Sequence, residues 1–500
     1  MMEPDLTDFP RLNRQGEAPK PGIVHFGPGA FFRAFNAPFT EDAMASSGDG
    51  DGRGGVGGEA GSEVGGEWGI IAVSLKSSSA RDVLKPQGCA YTAVELGPQG
   101  KQARIINAVS DVLVAPENPA AIVDALADPA IKIASLTVTE KGYCHNPASG
   151  HLDHNHPDIV HDLADLSAPR SVLGFLAAAL NRRRLAGKKP FTVMSCDNLP
   201  SNGKLLRGLV VEFASAVDPK LADWIADQVP FPCTMVDRIT PATTEQDIDD
   251  LAKQAEYRDP ACVVHEPFRQ WVIEDNFADG RPAWDQVGAQ LVGNVDAHEL
   301  MKLRCLNGTH STLAYLGYLA GYQTISATVA DPAYSDLCQK LWSEEILPTV
   351  PCPEGEDLAA YCEALLERYR NPAIQHRTWQ IAMDGSQKLP QRLLATIAEN
   401  LQAGRVPKGL CLAVAGWMKY VGGVDERGQP IDVRDPMAGQ LKTLLTGTGD
   451  GPQKVKSLLS VAEIFAEELA ENGLFQGAVA VAYRQLNELG ARQVVRDFVH

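Results

Sequence analysis

Hydrophobic positions fall into two textures along the chain. Up to about residue 295, short continuous apolar runs bounded by Gly and Pro alternate with stretches at helical spacing. The first run is GIVHF, between Pro21 and Gly27; WGIIAVSL, IINAVSDVLVA, IKIASLTV and FTVMSCDN follow. Runs of this length predict strands buried on both faces. The segments AAIVDALAD and SVLGFLAAALNRRR lie between strands and predict helices. Buried strands alternating with helices predict an α/β domain around a mostly parallel, doubly wound sheet. CTMVDRITP and CVVHEPFRQWVIED predict further strand units. Beyond residue 295 the apolar residues mostly recur at helical spacing, from DAHELMKLRCLNGTH to the end. A boundary near Gly293 therefore divides residues 1–293, the α/β domain, from a mainly α-helical domain, 294–500.

One stretch breaks the first texture. Residues 46–67, SSGDGDGRGGVGGEAGSEVGGE, are glycine-rich and almost free of large apolar side chains. They predict a flexible surface insertion that cannot bury enough area to order itself.

With 500 residues, 44% hydrophobic and 22% charged, the chain has the composition of a globular protein with a large core. Its formal net charge of −18 argues against nucleic acid or an anionic membrane as partner, since both select basic surfaces. A small anionic substrate stays possible, because one local cluster of Lys and Arg suffices. The ten cysteines form no CxxC and read as reduced thiols of a cytoplasmic protein. The N-terminal residues carry no signal pattern, and no apolar run reaches the ~20 residues of a membrane span.

Candidate chemistry begins at GPGAFFR. Gly27 and Gly29 follow the first strand directly and precede a predicted helix. In a dinucleotide-binding (Rossmann-type) fold the first glycine makes the tight turn and the second lets the backbone approach the pyrophosphate. The third glycine of the usual fingerprint is absent; Phe32 stands there. Gly27, Pro28, Gly29, Ala30, Phe31 and Arg33 are therefore the candidate cofactor-binding residues, with Arg33 able to reach a phosphate. The second strand ends in Lys76 and serines, where NAD-binding folds place an acid on the ribose. Lys76 suits the additional phosphate of NADP or is a solvated loop lysine, so NAD and NADP both stay open.

The second candidate is MKLRCLNGTH. On an α-helical wheel Lys302 at zero puts His310 near ~80° and Asn307 near ~140°. All three share one broad face of an otherwise apolar, buried helix. The bland reading is a lysine at a helix start with two satisfied polar neighbours. The functional reading is a site: a desolvated lysine is a general base near neutral pH. An Asn amide stabilises the oxygen of an alkoxide-like transition state. Gly308 removes a side chain beside Asn307 and suggests room for a ligand. Asn198, in SCDNLPSNG, lies at the carboxyl end of a predicted strand, where ligands of open α/β sheets bind. Asp237 lies at the end of MVDRITP; it serves the nicotinamide amide, steadies Lys302, or forms an internal salt bridge.

These motifs together resemble the polyol-specific long-chain dehydrogenases, the mannitol dehydrogenase family. KxxxxNxxH at Lys302, Asn307 and His310 carries the resemblance, as do IVHFGPGAFFRAF, SLTVTEKGYC, SCDNLPSNG, TMVDRITPA, EPFRQWVIEDNF and RPAWDQVGAQLV. It runs from about residue 22 to at least residue 393. It implies a Rossmann-type NAD-binding domain, a helical domain that closes the site, and hydride transfer without a metal. It implies that Lys302 is the general base, Asn307 and Asn198 the oxyanion-stabilising pair, and His310 the substrate-orienting partner. HRTWQIAMDGSQKLPQR and EKGYCHNP look most like the fructuronate reductase (D-mannonate oxidoreductase) branch. Gln380 stands where the mannitol-acting members carry Arg. A uronate carboxylate calls for Arg or Lys; Lys388, Arg377 and Arg392 are the candidates, Lys388 also matching a hydroxyl contact in the mannitol-acting members. The resemblance also implies a monomer or weak oligomer. A runner-up is a mannitol- or arabinitol-type enzyme acting on an uncharged polyol. A metal module is a third reading, from His145, His151, Asp153, His154 and His156, although their spacing fits no familiar zinc pattern. A nucleotide sensor without turnover is the fourth.

Overall fold

In a computed structural model the protein is described at residues 9–48, 68–146, 149–447 and 451–500. Residues 49–67 of the glycine-rich insertion lie outside the described residues. The chain divides into two compact units, Met1–Val295 and Asp296–His500.

The described strands of the first unit are, in chain order, β1 (Pro21–Phe26), β2 (Gly69–Ser74), β3 (Tyr91–Gly97), β4 (Gly100–Ile106), β5 (Val109–Val114), β6 (Ile133–Leu136), β7 (Thr192–Ser195), β8 (Thr234–Asp237), β9 (Val263–His265), β10 (Gln270–Glu274) and β11 (Gln290–Val292). Five form an all-parallel sheet of order β5-β2-β1-β6-β7. Alternation along each strand feeds two cores. Val24, Phe26, Ala134, Leu136 and Val193 enter one, with helices Pro119–Ala127 and Val172–Leu185 partly beneath them. Ile23, Ile70, Ile133 and Met194 enter the other. This is the doubly wound α/β unit the sequence predicts. Its strand order reverses between β1 and β6, and a crevice opens there at the carboxyl ends.

Two smaller sheets complete the unit. One has order β4-β3-β9, the other β11-β10-β8. β8 runs antiparallel to β10, with Asp237 opposite Gln270.

The second unit is helical, as expected; among its described residues backbone pairing is limited to isolated bridges such as Thr324 with Arg377. One core holds it together. At its centre the helix Lys408–Tyr420 is buried on nearly every residue. It packs against Thr309–Leu319 and Gly473–Leu489. The buried Glu345 accepts the N–H groups of Gly409 and Leu410 at 2.8 Å each, satisfying donors that the helix start leaves open. Among the described residues no helix is long and apolar enough to cross a membrane.

Candidate active site

The first unit carries a cleft of about 650 Å³ at the carboxyl ends of β1, β2 and β6. Gly27, Pro28, Gly29 and Arg33 line it, with Lys76, Ser77, Thr137 and Lys141 opposite. Gly27 has φ +94°, and a Cβ there would meet the Thr137 carbonyl oxygen at 2.2 Å. Only glycine lets β1 turn that tightly against β6. Gly29 differs: its backbone is ordinary, and a Cβ would find nothing nearer than the Gly27 oxygen at 4.0 Å. The fold does not demand glycine there; the cleft it opens onto gives the reason.

The turn is braced from below. Thr137 Oγ1 donates to the Gly27 carbonyl at 2.8 Å and lies 2.8 Å from His25 Nε2, whose Nδ1 lies 2.8 Å from Ser135 Oγ. His25 also stacks on Phe32 at 3.9 Å, which gives Phe32 a packing role at the third fingerprint position. Burial pushes the His25 imidazole down to about 3, so the clamp is neutral. The helix Ala30–Ala34, carrying Phe31, breaks at Phe35 before a second begins at Asn36. Arg33 borders the cleft, yet its guanidinium donates to the Ala261 and Gly29 carbonyls and lies 5.9 Å over the Tyr91 ring. Much of its bonding capacity is thus held by the protein.

Asn198 is exposed, three residues beyond the end of β7. Its neighbour Asp197 fixes the loop after β6 by accepting the N–H groups of Val138 and Thr139 at 3.1 and 2.9 Å and the Tyr143 hydroxyl at 2.8 Å. Burial raises its carboxyl above the ordinary range. Asp237 is buried, ending β8. The adjacent Arg238 spends its guanidinium on the carbonyls of Ala34, Glu266 and Pro267.

In the second unit the wheel needs revision. Lys302–Gly308 is a π-helix, continuing the α-helix Asp296–Met301 and passing into the α-helix Thr309–Leu319. Its i→i+5 hydrogen bonding closes each turn over about one residue more than an α-helix. Lys302 and Asn307, five apart, therefore lie closer together around the helix than the ~140° of an α-helix. Side chains serve the carbonyls this turn leaves under-bonded. Trp342 Nε1 donates to Cys305 O at 3.0 Å, Thr309 Oγ1 to the same oxygen at 2.6 Å, and Tyr369 OH to Leu306 O at 2.9 Å. Lys302 and His310 are buried; Asn307 is half-buried. Gly308 does not open space for a ligand: a Cβ there would meet the Arg392 carbonyl at 2.9 Å. The glycine is needed because a second π-helical turn, Pro390–Leu394, packs on it.

His310 is 7% exposed and lies between two rings, Tyr369 at 5.5 Å and His376 at 4.6 Å. Burial, then the charges of His376, Arg392, Arg368 and Lys388, hold it well below the ordinary histidine range, so it is neutral at pH 7. Its Nε2 is buried without a hydrogen-bond partner, as is His376 Nδ1. Lys388 Nζ donates to the carbonyls of Met383 at 2.6 Å and Ile381 at 3.3 Å, and lies 3.9 Å from Asp384. Burial and Arg392 push Lys388 down to about 8. Arg377 is exposed at the start of Thr378–Ala382. Sequence reasoning missed His376, Arg368, Thr137 and Lys141. Thr137 and Lys141 had a signal in their position just past a predicted strand, and His376 in opening the motif HRTWQIAMDGSQKLPQR; Arg368 had none. Among the described residues no group of three or more His, Cys, Asp and Glu is placed to hold a metal. In the histidine-rich loop His151 pairs with Glu212 and His156 caps the helix Pro157–Ala164.

Comparison with known proteins bears on what these residues serve. Residues 21–286 match the mannitol dehydrogenase Rossmann domain and residues 294–487 the mannitol dehydrogenase C-terminal domain. The chain is 49% identical to the D-mannonate oxidoreductase of Escherichia coli (strain K12) over 478 residues, covering 95% of this chain and 94% of that one. A solved ternary complex of Pseudomonas fluorescens mannitol 2-dehydrogenase with NAD and D-mannitol superposes with a TM-score of 0.79 at 37% identity, covering 99% of this chain and 95% of that one. A substrate-free D-sorbitol dehydrogenase gives 0.86 at 33% identity, covering 96% and 97%. With both of its units matched, the chain belongs to the mannitol dehydrogenase family of oxidoreductases.

Proposed function

We propose that this oxidoreductase interconverts D-fructuronate and D-mannonate with NAD, using Lys302 as general acid/base and no metal. The observation that carries the reading is the π-helical turn that holds both Lys302 and Asn307, followed by a neutral His310 among cationic neighbours. The identity to a D-mannonate oxidoreductase supports the same reading.

The first-unit cleft fits a dinucleotide: the tight turn at Gly27 and the open Gly29 leave backbone accessible, and the lining residues include no carboxylate. Gly27, Pro28, Gly29, Ala30 and Phe31 would hold the pyrophosphate side, with Arg33 at its edge and Asp237 toward the nicotinamide amide. NADP stays a second cofactor because Lys76 is exposed at the end of β2. When bound, the nicotinamide supplies or accepts the hydride.

In reduction Lys302 delivers a proton to the oxygen of the ketone; in oxidation it removes that proton from the alcohol. Asn307 and Asn198 donate amide N–H groups to the same oxygen and lower the cost of its developing charge. His310 offers Nε2 to the substrate and fixes its orientation. Lys388 binds substrate beside it, with Arg377 the second sequence-derived candidate. We assign the enzyme to the cytoplasm, whose reducing conditions suit its ten free cysteines.

The test is NADH oxidation with D-fructuronate and, as uncharged control, D-fructose, repeated with NADPH and with a chelator. Turnover that strongly favours fructuronate and survives the chelator is expected. Equal or better use of fructose would replace the reading with a mannitol-type polyol dehydrogenase.

A further inference from the structure

The two substrates compared above are the same molecule around the reacting ketone. They differ at the far terminal carbon, a carboxylate in one and a hydroxymethyl in the other. Whatever separates them must therefore be an anion site displaced from Lys302. Resting on the fructuronate reading, we propose that Arg392 is that anchor: its guanidinium receives the substrate carboxylate and sets the preference for a uronate over an uncharged ketose.

Arg392 sits on the π-helical turn Pro390–Leu394, which packs its backbone on Gly308. That contact ties its position to the turn carrying Lys302 and Asn307. Its guanidinium reaches Ser311, next in sequence to His310, with Nη1 donating to Ser311 Oγ at 3.1 Å. No carboxylate pairs with it among the described residues. A guanidinium has five N–H donors, and this one spends one on a neutral hydroxyl. Arg392 is half-buried, and withdrawing an unpaired charge even partly from water is costly, a cost that an anionic ligand would offset. Lys388, four residues earlier, adds a second cation with only a 3.9 Å approach to the half-exposed Asp384. Two buried polar atoms without partners, His310 Nε2 and His376 Nδ1, complete the surroundings. The cluster thus has cations and donors in excess, and its acids, Asp384 and Asp435, act on Lys388 while Arg392 stays without a carboxylate among the described residues, in a protein whose overall charge is −18. A planar guanidinium matches a carboxylate by two parallel hydrogen bonds, which a hydroxymethyl group cannot reproduce.

Arg377 and Arg368 are poorer anchors. Arg377 is exposed, and Arg368 lies on the helix Leu358–Arg370, held by an interaction of its own.

The experiment compares kcat/KM for D-fructuronate and D-fructose in the full-length enzyme, Arg392→Met and Arg392→Lys. Loss of charge-assisted bonds predicts that Arg392→Met lowers the fructuronate-to-fructose ratio by about 30- to 100-fold, mainly through KM. Arg392→Lys keeps the charge, loses the fork, and should recover part of the ratio. Competitive inhibition of the wild type gives a readout that needs no variant: D-mannonate should bind far more tightly than D-mannitol. Equal losses on both ketoses would make Arg392 a structural residue and overturn the proposal, as would an unchanged ratio. Either of those leaves the fructuronate reading standing, whereas a wild type without preference for fructuronate, or with equal inhibition by the two alcohols, overturns both.

Discussion

The two glycines of the first turn make opposite demands, and alanine separates them. At Gly27, alanine would adopt φ +94°, a conformation that costs an L-residue about 1–2 kcal/mol or more. Its Cβ would also stand 2.2 Å from the Thr137 oxygen and 2.8 Å from its carbonyl carbon, both backbone atoms of the loop after β6. Relief requires β1 and β6 to move apart, an overpacking cost of about 1–3 kcal/mol. Gly27→Ala should therefore lose about 2–5 kcal/mol of stability and bind cofactor poorly. At Gly29 the backbone, φ −72° and ψ −175°, is open to any residue, and a Cβ there would meet no protein atom beyond its chain neighbours nearer than 4.0 Å. Gly29→Ala should hold its stability within about 0.5 kcal/mol. It should nonetheless weaken NADH by about tenfold or more, since a methyl group would occupy the approach to the pyrophosphate. Urea unfolding followed by fluorescence and calorimetric titration with NADH measure the two quantities. Undiminished NADH affinity in Gly29→Ala would refute the placement of the cofactor in this cleft. Wild-type stability in Gly27→Ala would refute the strain argument.

Further outcomes follow from the second unit. Lys302→Ala should lower kcat by about 10²–10⁴ while NADH affinity, read by titration, stays within about threefold. Asn307→Ala should lose about 10²–10³ in kcat, seen in the same steady-state assay. Tyr369→Phe removes the donor to the Leu306 carbonyl on the π turn, and denaturation should register about 1–2 kcal/mol. Lys388, lowered to about 8, is cationic below that pH and neutral above it. KM for fructuronate should accordingly rise through pH 8–9 while KM for fructose changes less; parallel profiles would remove Lys388 from carboxylate binding.

The parallel strands were legible because burial on both faces leaves continuous apolar runs, as in GIVHF and GIIAVS. The hairpin of β3 and β4 was not. β4 is exposed at six of its seven positions, so GKQARII carries no apolar signature. IINAVSDVLVA reads as one run yet spans the end of β4, a two-residue link and β5. Lys302, Asn307 and His310 could be picked out by type, but an α-helical wheel misplaced them, since nothing in KLRCLNG announces a π-helix. Gly308 was visible as a small residue; its reason, the Arg392 backbone, comes from a segment more than eighty residues away. The cationic surroundings of His310 likewise depend on tertiary packing, which gathers Arg368, Lys388 and Arg392 from separate turns.

The most direct test follows the hydride itself. Purified protein is incubated with D-fructuronate and NADH deuterated at C4 on one face or the other, and the product is examined by NMR. The account predicts D-mannonate with deuterium on the former ketone carbon, from one face only, and none within the same time for Lys302→Ala. Mannonate left unlabelled by both deuterated cofactors, or label appearing only when D-fructose is supplied, would contradict it.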